Sequence, residues 1–110
     1  MSMQRATIRY HVTSDEARGG LELIEYTVPP YFLGPARHQH PQMTVAWYVL
    51  DGMLAFTLDE CTITAPRGTC VLIPPGTFLT FFNPTVAPAT LLLWCAPGGR
   101  ASCCLELDEA

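Results

Sequence analysis

His38 and His40 are the two residues of this 110-residue chain whose spacing best suits joint chemistry. Side chains alternate faces along a strand, so His-x-His points two imidazoles to one side. Such a pair can ligate a divalent metal or act as general acid and base near neutral pH. The spacing alone selects neither use, because on a strand it is as often a pair of hydrogen-bonded polar groups. A third donor would have to come from Gln42, through its amide oxygen, or from the carboxylates of Glu25 or Asp51, wherever the fold brings one near. His11 stands apart and reads as a surface or packing residue. Five cysteines, at positions 61, 70, 95, 103 and 104, make an odd count without zinc-ribbon spacing. They read as thiols, with Cys70 and Cys95 buried in apolar strands and Cys103 and Cys104 more accessible near the end of the chain.

The elements that must position the histidines are short strands between Gly/Pro turns. Ala6 to Val12 reads as a first strand, and Leu21 to Val28 as a second that Pro29-Pro30 stops. His38 to Leu50 reads as one or two strands. Asp51-Gly52, a strong hairpin signal, then leads into a partner strand from Met53 to Leu58. Further strands are expected at Cys61 to Ala65, Cys70 to Ile73, Phe78 to Phe82 and Leu91 to Cys95, with a last strand or short helix at Ser102 to Leu107. Strands spaced every eight to twelve residues, with no helical periodicity over three turns, predict an all-β sandwich or barrel. There is no internal repeat and no linker, so residues 1–110 read as one domain.

Composition narrows the partners. Net charge is −4 with a pI near 5.1, and six Lys and Arg never cluster, which excludes an electrostatic footprint for nucleic acid. No apolar run approaches a membrane span and no basic stripe suits a membrane surface. With no secretory signal before the first polar residues, the expected compartment is the cytoplasm. Charged residues make up only 15% of the chain while mean hydropathy is +0.22. That apolar surplus predicts either a homodimer, with the strand from Ala6 to Val12 as a candidate for edge pairing or exchange, or an apolar ligand cavity.

Two blocks carry a more specific pattern. His38, His40 and Gly52 fall in one frame, roughly residues 34–52; Gly68, Pro74, Gly76 and Asn83 fall in another, residues 68–83. Together they resemble the two signature motifs of the cupin superfamily, in particular its small quercetinase-like members. The resemblance runs from about Leu21 to Gly99 and implies an antiparallel, jelly-roll β-barrel. In cupins the motifs supply two histidines, a glutamate and a further histidine to one divalent metal. Here Val45 stands at the glutamate position and Leu79 at that of the second-motif histidine. Neither offers a lone pair. Two imidazoles without a carboxylate rarely retain a metal against water, so no tightly bound cofactor is expected, at most a weakly held nickel, iron, manganese or zinc ion.

Both replacements are aliphatic and share the interior face with Trp47, Val49 and Phe81. The expected site is therefore an apolar lining of Val45, Trp47, Val49, Leu79 and Phe81, with Gln42 nearby and His38 and His40 as its polar handle. Three function classes remain open. The first binds a small, largely apolar molecule, as a sensor or as a non-redox enzyme of cyclase or isomerase type with the histidines as acid and base. The second is a metal-dependent dioxygenase-like enzyme using His38, His40 and an unrecognised ligand. The third is a structural barrel whose interior has filled in as core.

Overall fold

The strands form where β-branched and aromatic residues alternate with smaller or polar ones, and they end at glycine, proline and Asx turns. The computed structural model describes residues 6–97, which form eight strands. These are β1 (Thr7–Val12), β2 (Glu22–Val28), β3 (Thr44–Asp51), β4 (Met53–Leu58), β5 (Cys61–Pro66), β6 (Cys70–Ile73), β7 (Leu79–Phe82) and β8 (Ala89–Ala96). One sheet has the order β1-β2-β8-β3-β6 and the other β5-β4-β7, with every pairing antiparallel. The all-β cupin fold expected from the motif frames is thus present as two facing sheets. Among the described residues no helix is long and apolar enough to cross a membrane. The expected element at Ser102 to Leu107, like Cys103 and Cys104, lies outside the described residues.

Alternation sets which side chains enter the space between the sheets. Ile24, Tyr26 and Val28 of β2, Val45, Trp47 and Val49 of β3, and Leu91, Leu93 and Cys95 of β8 are buried. They meet Leu54 and Phe56 of β4 and Leu79 and Phe81 of β7 in one continuous apolar core. Withdrawing a side chain such as Phe81 from water contributes about 1.5–3 kcal/mol.

Three local expectations change. The Asp51-Gly52 turn is not a hairpin: β3 pairs with β6 and β8, whereas β4 pairs with β5 and β7. It is a corner that passes the chain from one sheet to the other. Gly52 has φ +80°, and a Cβ there would lie 2.7 Å from the Pro88 carbonyl oxygen, so backbone packing against the start of β8 requires glycine. Cys70 is exposed, because Val71 and Ile73 take the inward positions of β6; Cys95 is buried as expected. His11 has a partner after all, the Glu25 carboxylate at 2.9 Å across the β1–β2 pair.

The outer face of the larger sheet is unusually apolar. Leu23, Trp94, Ala46 and Leu72 lie side by side across β2, β8, β3 and β6, with Glu25, Leu92, Tyr48 and Cys70 in the next row. Trp94 is 50% exposed and Leu72 61%.

Candidate functional site

The histidines do not lie on a continuous strand. Residues 39–43 run as loop and turn before β3, and His38 is held instead by an isolated antiparallel bridge to Leu79. Its N–H donates to the Leu79 carbonyl at 3.0 Å and its carbonyl accepts from the Leu79 N–H at 2.7 Å. Residues directly opposite in such a bridge share a face. Leu79 is fully buried in the core, so His38 is aimed at the same interior.

The preceding loop is pinned on several sides. Arg37 donates to the Asp59 carbonyl oxygen at 2.9 Å, and its guanidinium lies 5.0 Å over the Phe78 ring. The Asp59 carboxylate in turn accepts the Phe78 N–H at 3.1 Å. Thr80 Oγ1 donates to the Pro35 carbonyl, and Gly34, φ +79°, sits so close to β7 that a Cβ would lie 1.6 Å from the Phe81 carbonyl oxygen. The loop reaches the interior edge of β7 only because position 34 has no side chain. None of Arg37, Asp59 and Phe78 stood out in the sequence, since a cation–aromatic contact between distant loops leaves no local pattern.

One hydrogen bond fixes the chemistry of His38. Its Nδ1 lies 2.8 Å from the Ala36 carbonyl oxygen. A carbonyl only accepts, so Nδ1 carries the proton and Nε2 of the neutral ring presents a lone pair. Nε2 is buried and has no hydrogen-bond partner. The His40 ring packs edge-on against it, with centroids 4.9 Å apart and planes at 76°. Burial holds the His40 pKa below the ordinary 6.5, and the neighbouring His38 lowers it further.

Val45, Trp47, Val49, Leu79 and Phe81 are all brought together as fully buried interior residues. Trp47 packs on Phe81 at 5.0 Å between centroids and on Phe56 at 6.2 Å. Tyr26 joins this ring cluster, 6.1 Å from Phe81 and 6.3 Å from Trp47. Two further buried polar atoms here lack partners, Trp47 Nε1 and Tyr26 Oη. Tyr26 is not among the expected site residues; its one signal is a phenol between Ile24 and Val28 on the inward side of β2. Gln42, by contrast, is exposed. The carboxylates named as possible third donors are elsewhere: Glu25 faces outward against His11, and Asp51 is exposed at the end of β3.

Among the described residues no group of three or more His, Cys, Asp or Glu side chains is arranged to hold a metal ion. With Val45 and Leu79 at the places of two donors, the donor set present does not fit the four-ligand centre that the motif frames imply. The polar capacity of the site consists of a His38 lone pair, an indole N–H, a phenol and the adjoining His40.

A family profile described as a cupin domain matches residues 24–95. No curated protein matches the chain by sequence. Solved structures share its fold at low identity. A predicted oxalate decarboxylase from Thermotoga maritima superposes with a TM-score of 0.79 at 13% identity, covering 84% of this chain and 80% of that one. KdgF from a Halomonas species gives 0.74 at 12% identity, covering 88% and 84%. The cupin domain of Cnp3 from Schizosaccharomyces pombe gives 0.75 at 12% identity, covering 86% of this chain. The present chain spans 66% of that last one, just under two thirds of its length. At these identities the likeness is one of fold.

Proposed function

The chain belongs to the cupin domain family, and from that premise we propose that it binds a small, largely apolar molecule between its sheets, with His38 and His40 as the polar handle. The observation that carries this reading is the set of buried, unpartnered polar atoms contributed by the two facing sheets: Trp47 Nε1 and Tyr26 Oη from the larger one, and His38 Nε2 beside β7 of the other. Well over nine in ten buried polar groups in folded proteins have a partner, and each orphan costs about 1–3 kcal/mol. Three such atoms facing the same core are what a site for an external partner retains. Binding alone suits a sensor. The His38 lone pair can also accept a proton from the bound molecule, which suits a non-redox isomerase or cyclase.

Native mass spectrometry of freshly purified protein is the test. A copurifying organic mass that is lost in Trp47→Phe supports the reading. A bare chain whose melting temperature responds to no small apolar compound overturns it in favour of a structural barrel, which the complete burial of Val45, Leu79 and Phe81 also favours. A metal retained in stoichiometric amount after chelator dialysis overturns it in favour of a metal-dependent enzyme.

We also propose that two copies pair through the apolar outer face around Trp94 and Leu72. The charged groups of this sheet, Arg9, His11 and Glu25, gather at its β1–β2 side, so the best match for the apolar remainder is another such face, and β1 leaves an open edge beside it. Light scattering at micromolar concentration is expected to give a dimer that Trp94→Arg dissociates; a monomeric wild type removes the proposal.

A further inference from the structure

We infer that the bound molecule is uncharged and carries a hydroxyl, which donates to His38 Nε2 while an oxygen of the same molecule accepts from Trp47 Nε1. This rests on the small-molecule reading above and names the class of ligand. The argument is one of hydrogen-bond polarity. Because the Nδ1 proton of His38 is committed to the Ala36 carbonyl, its buried Nε2 can only accept from a neutral partner. The indole nitrogen of Trp47 can only donate. The phenol of Tyr26 can do either, and it adapts to whichever atom lies beside it.

These atoms share one neighbourhood. Trp47 and Tyr26 both pack against the Phe81 ring, at 5.0 and 6.1 Å, and His38 bridges Leu79, two residues before Phe81 on the same inward face of β7. The proposed molecule reaches between the acceptor beside β7 and the donor of β3.

Charge excludes the other classes. No Arg or Lys is buried among the described residues, and burial and His38 disfavour the charged form of His40, so an anionic carboxylate or phosphate in this interior meets no permanent cation. An ammonium compound offers donors only and leaves the indole N–H unmet. A ketone, ether or ester meets Trp47 but faces His38 with a second acceptor, leaving Nε2 orphaned. A neutral alcohol, phenol or hydroxy-carbonyl compound satisfies both.

The test uses four ring compounds of one size: cyclohexanol, cyclohexanone, methylcyclohexane and cyclohexanecarboxylate. Each is titrated into the full chain while the indole N–H resonance of Trp47 is followed by NMR, assigned by its loss in Trp47→Phe. Cyclohexanol is expected to shift that resonance and to bind about tenfold more tightly than cyclohexanone, the worth of one further hydrogen bond. In His38→Phe the alcohol is expected to lose that advantage. If cyclohexanone or methylcyclohexane binds the wild type as tightly as cyclohexanol, the hydroxyl inference fails and the small-molecule reading stands. Tighter binding of the carboxylate overturns the neutral class. If none of the four moves the Trp47 resonance, both fail together.

Discussion

The Asn83 amide and the three atoms Trp47 Nε1, Tyr26 Oη and His38 Nε2 are all polar and all buried, yet their hydrogen bonding differs completely. The Asn83 amide nitrogen donates to the Pro29 carbonyl at 3.0 Å and to the Ala87 carbonyl at 2.8 Å. Its amide oxygen accepts from the backbone N–H and the hydroxyl of Thr85, at 2.9 and 2.8 Å. Its own N–H donates to the Phe32 carbonyl. Every capacity of that side chain is used within the fold, tying the β2 end, the β7 end and the turn before β8. Across the core, three polar atoms are held just as firmly by packing and left without partners. Burying a polar group is costly in either place. Where its bonds are completed internally the group is architecture, and where they are left open the opening is available to something else.

The largest effect is expected on the architectural side. Asn83→Ala removes a buried amide whose four hydrogen bonds tie together the backbone at Pro29, Ala87 and Thr85, and should lower stability by about 3 kcal/mol in a urea titration. A loss under about 0.5 kcal/mol would mean that the network is redundant and the contrast false.

Next in size is the effect of adding polarity to the open wall. Val45→Glu and Leu79→His each place an ionisable group in an apolar setting and should each cost about 1–3 kcal/mol. Combined, they complete a four-donor set with His38 and His40. Elemental analysis after chelator dialysis should then find metal in the double variant well above either single one. Equal retention by the wild type would show that an unrecognised residue already completes a centre.

Tyr26→Phe reverses the sign. Removing an orphaned hydroxyl while keeping the ring should leave stability unchanged or raise it by up to about 1 kcal/mol in thermal melts of ligand-free protein. A clear loss of stability would mean that the phenol is satisfied and belongs with Asn83.

The smallest effect is a pH dependence at the mouth of the site. The His40 pKa is lowered on folding by burial and then by His38, so the unfolded chain binds more protons in the window between the folded pKa and 6.5. Stability therefore rises with pH through that window and falls as pH drops below 6.5. His40→Gln should flatten this slope in urea titrations across that range; an unchanged slope would assign the titration elsewhere.

Much of this architecture is readable in the chain. Asn83, Gly76, Pro74 and Gly68 hold their spacings because turns and caps are local, and the inward set of Val45, Trp47, Val49, Leu79 and Phe81 follows from simple alternation. The errors share a cause, which is that sequence shows what a residue is and not what faces it. Asp51-Gly52 has hairpin chemistry, but nothing local states that β4 joins the other sheet. Cys70 sits among apolar neighbours, and its exposure follows from an apolar outer face that ordinary patterning does not anticipate. The polarity of the site was least visible. It depends on a carbonyl two residues before His38 and on a phenol in β2 that meets the indole of β3 only after folding.

The bridge between His38 and Leu79 also has a kinetic meaning. It covers the edge of β7 that β4 leaves free. The His38 backbone cannot part from β7 to admit a molecule unless two backbone hydrogen bonds break together. If the proposed ligand enters by this route, its entry is timed by a local unfolding event, and the His38 and Leu79 amides should exchange with deuterium at one shared rate that sets the ceiling on association. Exchange of the two at widely different rates would show a door that opens by another hinge.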